Sequence, residues 1–244
     1  MTNSSRTFSS EGTEITTKIK KNYHDIQLAI NTASALQGRD PAEVLIVAVS
    51  KTVGVPEITD AIVAGIHDFG ENRTKPFLEK QQALPREHWH FIGHIQTNKL
   101  KDVVGRACLI HSVESIHALE VISRLATERE VCQRVLIEVN TSREASKDGV
   151  HADEVPHLLE TAHRLSGIEV HGLMTMAPIL TFEHDDSARR TFAALRELRD
   201  NLVPVFAGAE NISLNELSMG MSDDFEDAVL EGATIVRIGR RLWS

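Results

Sequence analysis

The chain is poor in cysteine: Cys108 and Cys132 are the only two in 244 residues, far apart and without CxxC spacing. That excludes a disulfide framework and a thiolate metal site, and both read as reduced core thiols. No apolar stretch approaches the length of a membrane span, and no charged, apolar, then small leader opens the sequence. The expectation is therefore a soluble, cytoplasmic protein with no membrane partner. Positive charge is also short, with 26 Lys and Arg against 35 Asp and Glu and a net charge of −9. This disfavours nucleic acid as a partner, while leaving room for a local basic pocket that takes a phosphate. There are twelve histidines, and His88 and His90 share one strand face. No HExxH or His/Cys cluster accompanies them, so no metal site is expected. No glycine-rich turn follows the first strand, which removes support for a dinucleotide-binding fold.

What is present is an alternation. After a Ser/Thr/Asn-rich tail over residues 1–10, read as disordered, apolar positions from Ile15 to Ala33 recur at helical spacing and predict one long helix over Glu11–Leu36. Strand patterns then follow at Val44–Ser50, His67–Gly70, His90–Gly93, Cys108–Ser112, Arg134–Asn140, Glu169–Met176, Glu216–Ser218 and Thr234–Gly239. Helical patterns separate them, among them Val55–Gly65, Ser115–Arg129, Ala152–Leu165, Asp185–Leu202 and Asp223–Glu231. Eight strands divided by helices without a linker predict an α/β fold, a single (β/α)8 TIM barrel with an extra N-terminal helix, over residues 11–244. A doubly wound sheet is the alternative, which periodicity alone does not exclude.

The unusual polar residues collect at the strand ends. Lys51 closes the buried run Val44–Ser50, at the end of the strand where α/β chemistry gathers. Alone it reads more readily as a lysine snorkelling to water, and the rest of the sequence reverses that preference. As a neutral amine it would attack an aldehyde to form a Schiff base. The loops after the seventh and eighth strands, which commonly hold phosphate in such barrels, carry Ser218, Met219 and Gly220, then Gly239 and Arg240. Ser218 offers a hydroxyl, and Gly220, Gly239 and Arg240 offer backbone N–H groups. Ser222, Asp223 and Asp224 are placed to cap the next helix. Arg237 lies between Val236 and Ile238 and so faces the opposite way, into the barrel mouth. A guanidinium there would leave a pyridine nitrogen unprotonated; an ion pair with Glu216 or Asp223 at the rim is the other reading. Asn72, His90 and Met174 are placed to pack around a ligand. Together these residues describe a pocket for pyridoxal 5′-phosphate.

The segments Ala48–Lys51, Phe69–Asn72, His90–Gly93 with Gln96 and Asn98–Lys99, Ser146–Lys147 with Gly149, His171–Met174, Leu217–Asp224 and Val236–Gly239 resemble those of the pyridoxal phosphate homeostasis protein family, also called proline synthetase co-transcribed proteins. The resemblance runs from about Val44 to the end of the sequence. It implies a barrel similar to the N-terminal domain of alanine racemases, with the cofactor on Lys51. It also implies a role in vitamin B6 and amino-acid homeostasis without robust turnover, and cofactor-dependent apo-enzymes as acceptors. Departures fall at Arg73, where the family has an aromatic residue, at Arg240 through Ser244, and at Thr141–Ala145. Lys99 and Lys147 are candidates for a second, looser cofactor site, and the chain is expected to be a monomer.

Two other functions stand beside this one. A cofactor-dependent racemase needs an acid or base on each cofactor face. The only tyrosine, Tyr23, falls in the first helix, the second domain such enzymes use is not expected here, and His90 is the one plausible base. A Schiff-base aldolase or other phosphate-sugar barrel enzyme would use the same lysine and phosphate loops without pyridoxal phosphate.

Overall fold

The computed structural model describes residues 10–141, 148–178 and 186–244. The expectations placed on the tail, on Ser142–Lys147 and on the start of the helix at Asp185 lie outside these residues. Eight parallel strands close on themselves: β1 (Leu45–Val49), β2 (Asp68–Glu71), β3 (His88–Phe91), β4 (Leu109–Val113), β5 (Gln133–Asn140), then β7 (Ile168–Met174), β8 (Ile212–Ser218) and β9 (Ile235–Ile238). The ring is sealed by β4 against β5 and by β9 against β1, where Val47 pairs with Arg237. A two-residue strand not foreseen from the sequence, β6 (Val150–His151), adds to β5 outside the ring. The other differences are at boundaries. β8 begins at Ile212 rather than Glu216, and β7 ends at Met174, leaving Met176 exposed beyond it.

Strand parity divides the buried residues into two groups. Ile46, Ala48, Phe69, Trp89, Phe91, Ile110, Val135, Ile137, Leu173, Leu217, Val236 and Ile238 face outward into one large apolar layer beneath the helices. Val47, Leu109, Leu136, Met174 and Ile235 form a smaller apolar cluster facing inward. The inward face is otherwise polar, which is where a barrel that binds a ligand differs from one filled only by branched side chains.

The helices are α1 (Ser10–Leu36), α2 (Val55–Val63), α3 (Thr74–Ala83), α4 (Leu100–Val103), α5 (Ile116–Glu128), α6 (Val155–His163), α7 (Ser187–Leu202), α8 (Phe225–Leu230) and α9 (Arg240–Trp243). α1 packs on α2, α8 and α9 through Ile19, Ile26 and Ile30, all buried. α3 is held by an aromatic cluster in which Phe77 meets Trp89 and Phe91 edge-on, with ring centroids at 6.5 and 5.7 Å. The two cysteines are free and exposed, not core thiols; Cys108 faces a cavity described below.

Gly220 sets the turn out of β8. Its φ is +92°, and a Cβ there would lie 2.5 Å from the Ala228 Cβ and 2.9 Å from the Phe225 Cα. Glycine is therefore required both by the backbone and by the close approach of α8. Gly220→Ala should lose about 1–3 kcal/mol from overpacking beyond the roughly 1–2 kcal/mol of left-handed backbone strain. Gly38→Ala, at φ +64° with open space around it, should show only the second effect. Urea denaturation of the two variants measures the difference.

Candidate functional site

The carboxyl ends of the strands gather several of the sequence-identified residues, though not His90. Lys51 lies just past β1, separated from Val49 by Ser50, and is exposed. The backbone just before it is fixed from behind. Glu71, buried at the end of β2, points outward into the apolar layer and pairs with the Lys80 ammonium of α3. The same ammonium donates to the Ser50 carbonyl at 2.7 Å, and the Ser50 hydroxyl donates to Glu71 at 3.0 Å. On the other side the Trp243 indole N–H donates to the Val49 carbonyl at 2.7 Å. The strand that presents Lys51 is thus gripped by β2, α3 and α9.

Arg237 points inward, as its parity predicted, and is buried with 4% of its surface exposed. It donates to the Ser218 hydroxyl at 2.7 Å and to the Thr175 carbonyl at 3.0 Å. The rim ion pair is not formed: Asp223 pairs with Arg240, and Glu216 accepts from the Thr234 hydroxyl. Burial pulls the Arg237 guanidinium down to about 10, against the opposing pull of Glu138 and Asp224, so it stays charged at neutral pH. Glu138, inward on β5 and also buried, is pushed up to about 7, chiefly by burial and then by the charge of Glu114.

Other residues differ in detail from their sequence reading. The Ser218 hydroxyl is fully buried and engaged with Arg237 and, at 2.8 Å, with Nδ1 of His111. The Met219 side chain belongs to the outer apolar layer and its N–H donates to the Ile235 carbonyl, so its donor is already used. Asp224 sits at the start of α8, but its carboxylate accepts from the Met221 N–H rather than capping the helix; burial pushes this carboxyl up. Asn72 is half-buried beside Gly93, whose missing Cβ would clash with it at 2.7 Å. Met174 is buried in the inner cluster. Gly239 lies against Val49 on β1, with 3.5 Å between its ideal Cβ position and the Val49 Cβ. Arg240 and Lys99 are exposed.

His90 is not at the mouth. Its ring lies deep in the barrel, Nδ1 3.0 Å from Nε2 of His111 and Nε2 3.1 Å from the Asp68 carboxylate. It lines a cavity of about 860 Å3 at the opposite, amino-terminal end, together with Asp68, His88, Cys108 and Tyr23. Sequence reasoning missed His111 and Glu138. The available signal was parity: each is a polar residue two positions from an inward apolar one, Leu109 and Leu136 respectively.

A family model described as "Alanine racemase, N-terminal domain" matches residues 24–243. A protein of Aquifex aeolicus named "Pyridoxal phosphate homeostasis protein" is 41% identical, over 88% of this chain and 92% of its own length. The proteins of that name from Pseudomonas aeruginosa and Escherichia coli are 39% and 32% identical, each over 92% of this chain and 94% and 95% of theirs. Among solved structures, PipY of Synechococcus elongatus with pyridoxal phosphate bound is 30% identical, with a TM-score of 0.75, covering 88% of this chain and all of its own. An alanine racemase of Clostridium difficile, at 15% identity and a TM-score of 0.71, shares the fold; this chain spans 56% of it.

Two outcomes follow from the charges inside this structure. Lys80→Met strands the buried Glu71 carboxylate and should cost about 3–5 kcal/mol, while a Lys80→Met, Glu71→Leu double variant should recover much of that loss in urea denaturation. Glu138 binds its proton more tightly in the folded protein than in the unfolded chain. Its contribution to stability is therefore full below about 4.5 and is lost as pH rises to about 7. Glu138→Gln should flatten that part of the urea-midpoint profile against pH.

Proposed function

Because the chain belongs to the pyridoxal phosphate homeostasis protein family, we propose that it holds pyridoxal 5′-phosphate at the barrel mouth, on Lys51, as a carrier in vitamin B6 and amino-acid homeostasis. The observation that carries this is the pairing of β1 with β9, which sets an exposed lysine amine and a buried, immobilised guanidinium on neighbouring strands at one end of the barrel. When bound, the cofactor supplies an aldehyde, which condenses with an amine to form a C=N bond and release water, and a phosphate that anchors it.

The residues suit that group. Lys51 would take the aldehyde carbon. Arg237, whose donors to Ser218 and Thr175 leave other N–H groups available, would meet the ring nitrogen. Gly220, packed against α8, sets the turn that leads from β8 to the loop around Ser222. The loops around Ser222 and Gly239–Arg240 would receive the phosphate, with Ser218 acting on the cofactor through Arg237. Asn72 and Met174 would flank the ring. His90, 3.0 Å below His111, contributes from beneath the site.

An arginine at the ring nitrogen disfavours its protonation and makes the ring a weak electron sink. This supports a carrier over an efficient racemase or transaminase, and turnover of common amino acids should stay at trace level. Borohydride reduction of the loaded protein, followed by peptide mass mapping, should place the pyridoxyl group on Lys51. Lys51→Ala should lose the visible band of the bound cofactor; a variant that keeps the full band sinks the assignment. Turnover near 1–10³ per second, roughly the ordinary enzyme range, lost in Lys51→Ala, would make the protein an enzyme.

A further inference from the structure

Beneath Arg237 the barrel interior holds an unbroken line of hydrogen bonds. Arg237 donates to the Ser218 hydroxyl at 2.7 Å, and that oxygen lies 2.8 Å from Nδ1 of His111. His111 Nε2 is 3.0 Å from His90 Nδ1, and His90 Nε2 is 3.1 Å from the Asp68 carboxylate. The members come from five strands, β9, β8, β4, β3 and β2. Ser218 and His111 are fully buried, and His90 and Arg237 are 3% and 4% exposed. The line ends at the amino-terminal cavity, which both Asp68 and His90 reach.

We infer that His111, His90 and Asp68 are positioning residues for Arg237: two neutral imidazoles, anchored by the Asp68 carboxylate, fix the direction of the Ser218 hydroxyl and so the guanidinium that meets the cofactor ring. The inference rests on the reading of Arg237 given above. Counting protons carries it. A carboxylate only accepts, so His90 Nε2 carries a hydrogen. With His90 neutral, its Nδ1 accepts from His111 Nε2–H. His111 Nδ1 then accepts the Ser218 O–H, and the Ser218 oxygen accepts from Arg237. Every proton in the line has an acceptor. If His90 were an imidazolium, its second N–H would reverse His111. Ser218 would then receive two donors, and its own proton would have no acceptor in the line, a costly arrangement at a fully buried hydroxyl.

The charges around the line agree with this direction. Burial, with the Arg237 charge adding to it, holds His111 well below the usual histidine range. Burial acts to raise the Asp68 carboxyl, but the hydrogen bonds from His90 and His88 oppose it, and the carboxyl is held below the usual carboxylate range. Tyr23 from α1 also faces Asp68, and its hydroxyl is pushed up by burial and then by that carboxylate. Asp68 is therefore a fixed negative terminus, four hydrogen bonds from the guanidinium.

The test uses 15N-labelled full-length protein loaded with pyridoxal phosphate. Long-range proton–nitrogen correlation at pH 7 should show His111 and His90 both neutral and both carrying the hydrogen on Nε2; either ring as imidazolium or as the Nδ1–H form overturns the inference. This arm needs no variant to fold. In a second arm, Asp68→Asn can present an amide donor to His90 and turn the line around. The visible band of its bound cofactor should shift in pH profile and affinity should fall about fivefold or more, the low end of coupling between separated sites, with partial rescue in Asp68→Glu. A profile superimposable on the parent protein overturns the relay. If Arg237→Lys moves the band and Asp68→Asn does not, the relay alone fails. If neither moves it, the reading of Arg237 fails and the relay falls with it.

Discussion

A guanidinium inside a closed barrel governs much of what surrounds it. Removing Arg237 from water is costly unless its donors are met and its charge is balanced, and the interior supplies both. Ser218 and the Thr175 carbonyl take its hydrogen bonds, and Glu138 and Asp224 supply nearby negative potential. Each of these has its own requirement. Ser218 needs His111, and His111 needs His90. Glu138, close to the carboxylates Glu114 and Asp148, holds its proton more firmly than an ordinary glutamate. Much of the polar character of the inner face follows from one buried cation, while the outer face is mainly apolar, with the Glu71–Lys80 ion pair set into it.

That exception has its own logic. A buried ion pair adds little net stability but penalises every arrangement in which one partner is missing. Glu71 can be satisfied only when α3 lies against β2 in one register, with Lys80 reaching the Ser50 carbonyl. The pair therefore fixes the backbone of Ser50, the residue next to Lys51.

The barrel was legible because its strands are short apolar runs set apart by helical periods, and because Lys51 and Arg237 break those runs at strand ends or on the inward parity. Position relative to the mouth was less legible. His90 and Arg237 both face inward, but parity does not say how far down a tilted strand a side chain lies, and His90 falls in the lower layer. Met219 was a parity question left unasked: Leu217 faces out, so Met219 does too. Lys80 and Trp243 carried no local signal, because their partners, Glu71 and the Val49 carbonyl, lie on other elements. The capping role expected of Asp224 failed for a local reason, since the tight turn at Gly220 put the Met221 N–H within its reach first.

The closure of the ring also has a consequence for synthesis. β1 pairs with β9, matching Leu45 to Ile235, and Asn22 of α1 donates to the carbonyls of Leu242 and Ser244. A chain emerging from the ribosome must hold β1 with one edge unpaired until β9, almost two hundred residues later, is available. Contacts this distant in sequence form slowly and leave strand edges open to wrong partners. Over that interval the nascent protein is most vulnerable to misassembly, and escape from aggregation comes in one late step, when β9 reaches β1.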